Sequence, residues 1–96
     1  MGLGIYVEDP WRGRLSEFAD DAAESFMRLC QDAPEETLRR GINRYGETLF
    51  NVIQTRPLLR ELEALPEDAK TPVVHQVIAG AKQAIERLGY LHFVGD

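Results

Sequence analysis

Five prolines cut this chain of 96 residues into pieces that each suit one element. Proline interrupts a helix interior because its nitrogen carries no hydrogen. It suits the first helical turn, where that hydrogen has no partner. From Leu15 onward, apolar residues recur at the three- and four-residue spacing of a helix, and Pro34, Pro57, Pro66 and Pro72 punctuate the pattern. The pattern predicts an all-α fold, a small antiparallel helical bundle of about four helices, one of them short.

Helix 1 is expected over 15–31, with Leu15, Phe18, Ala19, Ala22, Ala23, Phe26, Leu29 and Cys30 inward and Ser16 as its N-cap. Helix 2 is expected over 34–54, opened by Pro34, Glu35 and Glu36. A short helix 3 over 58–65 ends at Pro66. Helix 4 over 72–88 opens on Thr71-Pro72 and closes at Gly89. Outside the bundle, LGIYV near the start and YLHFV near the end are rich in β-formers. An up-down-up-down bundle brings them to the same end, where they can form a minor terminal β-pair. The organisation expected is one domain over 1–96: an N-terminal extended segment and loop over 1–14, a bundle over 15–88 and an extended tail over 89–96.

The stretch LRRGINRYGETLF, 38–50, carries two glycines within a helical pattern. On a wheel of 100° per residue the stripe Leu38, Ile42, Tyr45, Leu49, Val52, Ile53 stays in phase across both glycines. Gly41 and Gly46 flank it, one on each shoulder. A glycine within a helix costs ~1 kcal/mol relative to alanine. Close helix crossings at both shoulders would offset that, which makes helix 2 the central helix. Arg40 and Arg44 have carboxylates at helical spacing, Glu36 and Glu47, so their face reads as solvated and self-neutralised.

Sixteen acidic and eleven basic residues leave a net charge of −5, which disfavours nucleic acid and anionic membranes as partners. No apolar run approaches the ~18–20 residues of a membrane span. The N-terminal residues lack the basic region of a signal peptide, and Tyr6 stands where a myristoylation signal has Ser or Thr. With a single cysteine, these features point to the cytoplasm.

Candidate chemistry is sparse. Cys30, His75 and His92 show no metal-ligand spacing, so no metal or cofactor is expected. Cys30 falls on the inward edge of helix 1, and His75 reads as a partly buried helix 4 residue. Asp20-Asp21 and Glu35-Glu36 are adjacent pairs, which diverge on a helix and suit helix starts rather than an acid/base dyad. The chain is therefore expected not to be an enzyme.

Protein-binding features are stronger. Trp11, Arg12 and Arg14 lie in a loop before helix 1, and tryptophan and arginine are enriched among interface hot spots. Tyr90, His92 and Phe93 lie in the β-prone tail, which could add to another copy of the chain or to another protein. These six residues form the expected partner-binding set. The function expected is a non-enzymatic interaction module: an adaptor, regulator or immunity-like inhibitor, with a homodimer compatible. An acidic surface suits a basic partner. The alternative is a small-molecule sensor with its pocket between helices 2 and 4.

Overall fold

The computed structural model describes residues 2–96 and overturns the all-α bundle. The chain is an α/β fold built on a four-stranded antiparallel sheet. Strands β1 (Gly4–Glu8) and β2 (Arg14–Ala19) form a hairpin, and α1 (Ser25–Gln31) follows. A long irregular segment leads to β3 (Glu47–Phe50), then α2 (Val52–Glu63), α3 (Pro72–Glu86) and β4 (Tyr90–Val94). The spatial order is β2-β1-β4-β3. The terminal strands do pair, Gly4 with Val94 through Glu8 with Tyr90, but they form the centre of the sheet rather than an accessory.

Strand alternation explains the core. Ile5, Val7, Leu91 and Phe93 are fully buried beneath the helices. The Phe93 ring stacks on Phe26 at 5.7 Å and meets Phe50 edge-on at 6.0 Å. Helix α3 packs on β1 and β4, while α2 packs on α3 and along β3 and β4. Val74, Val77, Ala81 and Ala84 of α3 are completely buried. The close crossing occurs at Gly80, where a Cβ would lie 3.0 Å from Val7 Cγ2. Gly41 and Gly46 make no helix crossing, since nothing lies within 4 Å of a Cβ at Gly41 and only Asn43 approaches one at Gly46.

Two expected helices are corrected. The span 15–31 divides into β2 and α1, joined by a turn at 20–24. Ser16 caps no helix; its hydroxyl is 3.1 Å from Gln83 Oε1 of α3. The α1 amides are instead taken by two aspartates. Asp20 accepts from Phe26 and Met27 N–H at 3.1 and 2.9 Å. Asp21 accepts from the Ser25 hydroxyl and N–H, which hold its carboxyl below the usual carboxylate range.

The span 34–54 is no helix either. It holds a 3-10 turn at Arg39–Gly41, strand β3 and only the first residues of α2. The Asn43 side chain accepts from Tyr45 N–H at 2.8 Å, a local turn that competes with helix. Glu61 of α2 anchors the segment, accepting from Leu38 N–H at 2.7 Å and from Arg39 Nη1 at 3.0 Å. The short third helix is absorbed into α2, which opens on an Asn51–Gln54 capping box and carries Pro57 inside it. The Thr71-Pro72 start holds, with Thr71 as N-cap and Pro72 in the first turn of α3. At its other end the left-handed residue is Leu88, φ 56°, rather than Gly89. Gly89 is required for a different reason: a Cβ there would sit 1.9 Å from the Glu8 carbonyl oxygen. Sheet and helices replace the bundle expected over 15–88, and residue 1 of the expected N-terminal segment lies outside the described residues.

Candidate functional site

The helices cover one face of the sheet, and the other face carries the polar and aromatic side chains of the same strands. Alternation places Tyr6 and Glu8 of β1, Glu17 of β2, Glu47 and Leu49 of β3, and Tyr90 and His92 of β4 there. Register then sets the contacts. Tyr6 stands opposite His92, with ring centroids 5.9 Å apart, and Leu49 stands opposite His92 on its other side.

His92 is the hub of this face. Its Nδ1 lies 2.8 Å from Glu8 Oε2 and its Nε2 lies 2.9 Å from Glu47 Oε1. Each ring nitrogen thus faces one carboxylate, and the two contacts fix the plane of the imidazole. Glu8 also accepts from Arg12 Nε, which occupies its second oxygen. It is 5% exposed although no helix covers it. Arg12 lies 5.6 Å from the Tyr90 ring centroid and Arg14 4.2 Å from that of Tyr6, so two guanidinium–tyrosine pairs roof the cluster. Arg14 is further tied to Glu17 at 2.9 Å.

The hairpin turn presents the tryptophan. One Asp9 oxygen accepts from Trp11 N–H at 2.9 Å and Gly13 N–H at 2.7 Å. Arg12 adopts φ 72°, a left-handed conformation costing roughly 1–2 kcal/mol for a residue with a side chain. The ion pair with Glu8 and the contact with Tyr90 offset that cost. Trp11, at the tip, is 86% exposed.

Five of the six expected binding residues, Trp11, Arg12, Arg14, Tyr90 and His92, thus lie on this face or its hairpin. Phe93 does not. It is fully buried, because neighbours of His92 along a strand point the opposite way. Tyr6, Glu8, Glu47 and Leu49 carry no signal in the sequence that marks them for this face. Once the terminal strands pair, however, the residues between Ile5, Val7, Leu91 and Phe93 must share the other face.

The remaining candidates are scattered. Cys30 is completely buried, and burial pushes its thiol well above the ordinary range. His75 is exposed on α3, 3.5 Å from Glu67, rather than partly buried. The three arginines of 38–50 are each engaged elsewhere: Arg39 with Glu61, Arg40 with the Ala33 carbonyl and Arg44 with Glu24. The pairs inferred from helical spacing, Glu36–Arg40 and Arg44–Glu47, do not form because that helix does not. With the bundle gone, a pocket between its helices 2 and 4 has no place; one cleft, about 290 Å³, lies between Leu3, Met27, Arg44 and Tyr45, and another, about 310 Å³, between Phe18 of β2 and Gly80 of α3. Among the described residues no cluster of three or more His, Cys, Asp or Glu could hold a metal ion, and no helix is long and apolar enough to cross a membrane.

No protein-family model, curated protein or solved structure matches the chain.

Proposed function

We propose that the chain is a non-enzymatic protein-interaction module that binds its partner with the helix-free face of the sheet and the β1–β2 hairpin, as an adaptor, regulator or inhibitor. The observation that carries this reading is Trp11, 86% exposed at the tip of a turn braced by Asp9 and by the Arg12–Glu8 pair. Preorganised aromatic and arginine side chains lose little entropy on binding, which suits them to be anchors. The polar groups behind them are mutually engaged: Glu8 uses both oxygens and His92 both nitrogens within the cluster. Such a network supports a rigid surface more readily than proton transfer. The overall charge of −5 favours a basic partner.

The test is affinity capture by the folded wild type beside Trp11→Ala, Arg14→Glu and, as a control on the helical side, Gln76→Ala. The expected result is one stoichiometric protein retained by wild type and Gln76→Ala and lost by the first two variants, with circular dichroism unchanged. Retention of that protein by Trp11→Ala and Arg14→Glu with loss by Gln76→Ala would place the contact on the helices and overturn the reading.

A further inference from the structure

We propose that His92 is a proton-operated clasp between the centre of the sheet and its edge strand β3: with both ring nitrogens protonated it holds Glu8 and Glu47 together, and on giving up one proton it keeps Glu8 and releases Glu47. The device is a property of the chain alone and does not rest on the partner reading above.

The ring sits between two carboxylates of opposite character. Nδ1 lies 2.8 Å from Glu8 Oε2 and Nε2 lies 2.9 Å from Glu47 Oε1. The His92 side chain is 12% exposed, that of Glu8 7% and that of Glu47 70%. Glu8 is held from a second direction, because its other oxygen accepts from Arg12 Nε. Among the described residues the Glu47 carboxylate has no polar partner besides His92.

Alternation turns the ring away from the helices, so strand and hairpin groups alone face it. From β1 come Glu8 and the Tyr6 ring, 5.9 Å away between centroids. From β3 come Glu47 and, directly across in the register, Leu49. Tyr90 stands two positions back along β4 itself, beneath Arg12. Arg12 reaches Glu8 rather than the ring, and Arg14 is engaged with Tyr6 and Glu17. The charged groups in contact with His92 are therefore two carboxylates and, among the described residues, no cation.

The number of protons on the ring then decides which contacts hold. An imidazolium has two N–H donors and satisfies both carboxylates, whereas a neutral imidazole has one N–H and one lone pair. Histidine is the side chain suited to change between these forms near neutral pH. With one proton left, one nitrogen must turn a lone pair on a carboxylate. At Nδ1 that would strand a Glu8 oxygen in a buried place, which is the costly outcome. At Nε2 the exposed Glu47 can swing into water, and an exposed ion pair contributes little. The proton lost to solvent is therefore the one on Nε2. Glu47 leaves, and Nε2 becomes an outward-facing hydrogen-bond acceptor on a ring still anchored to Glu8. The open face then carries one positive charge fewer and one free carboxylate more.

The test is a titration of the isotope-labelled chain by nuclear magnetic resonance, from about pH 5 to about pH 9. His75→Gln, an exposed site on α3, removes the signals of the second histidine. The expected result is a His92 ring protonated at both nitrogens at the acid end and in the Nδ1–H tautomer at the alkaline end. The nuclear Overhauser contact between Glu47 and the ring is expected to be lost with the same midpoint. In Glu47→Gln the contact is expected to persist at both ends, because a carboxamide can accept from Nε2–H and donate to a bare Nε2. Should Glu47→Gln fail to fold, the wild-type titration decides alone. An Nε2–H tautomer at the alkaline end, a Glu47 contact that survives deprotonation, or a ring that keeps one protonation state throughout would each overturn the proposal.

Discussion

The two faces of the sheet are made from the same strands and do opposite work. Toward the helices, Ile5, Val7, Leu91 and Phe93 are completely buried in a dry core. One residue away along each strand, Tyr6, Glu8, Tyr90 and His92 form a polar and aromatic surface. The first face supplies stability through apolar burial, at roughly 25 cal/mol per Å². The second contributes a network whose polar groups are paired to one another. The buried core and the polar face are thus separated by a single step in the strand, and the comparison can be tested one position at a time.

The largest expected effect lies on the covered face. Phe93→Ala removes a ring packed between Phe26 and Phe50 and should cost ~3–5 kcal/mol in urea unfolding. That is much of the 5–15 kcal/mol available to a typical domain, so a variant unfolded at room temperature fits the account. Next is Glu8→Gln on the open face. It removes the charge shared by Arg12 and His92 while keeping the shape, and should lower stability by ~1–3 kcal/mol. A loss as large as that of Phe93→Ala would mean the open face is part of the core after all.

A third experiment probes how dry the covered face is. Burial raises the folded thiol of Cys30, so the folded chain keeps its proton where the unfolded chain, with the ordinary value of 9.0, loses it. The stability gained through this residue is complete below 9.0 and falls as pH rises above it, by up to ~1.4 kcal/mol per pH unit. Comparing wild type with Cys30→Ala in alkaline urea titrations isolates it, and equal slopes would show that water reaches Cys30. The smallest effect on stability belongs to Trp11→Ala, expected within ~0.5 kcal/mol of wild type because so little of that side chain is covered.

The pattern of legible and illegible elements follows from what a helical wheel measures. The β-prone character of the two terminal segments and the Thr71-Pro72 start of α3 are readable, because alternation and proline placement report local backbone geometry; the pairing of the termini is only one option, reached through a bundle that does not form. The first expected helix failed because Ala19, Ala22 and Ala23 counted as apolar on the wheel, yet alanine has little surface to bury and all three are exposed. The second failed because Tyr45, Leu49 and Ile53, half of its stripe, lie on the surface. Its two glycines, offered as crossing points, instead belong to a turn and a 3-10 segment. The close crossing at Gly80 was invisible, since only the fold brings Val7 beneath it. Trp11, Arg12, Arg14, Tyr90 and His92 lie near one another because β1, which leads into the hairpin, sits between β2 and β4. Phe93 was misplaced by one position of alternation.

The most direct test of the central claim is oxidative footprinting of the chain alone and in its captured complex, read residue by residue by mass spectrometry. The account predicts strong labelling of free Trp11, and a marked loss of labelling at Trp11, Tyr6 and Tyr90 in the complex. Unchanged labelling at these three, with protection along the outer surface of α2 and α3 instead, would contradict it.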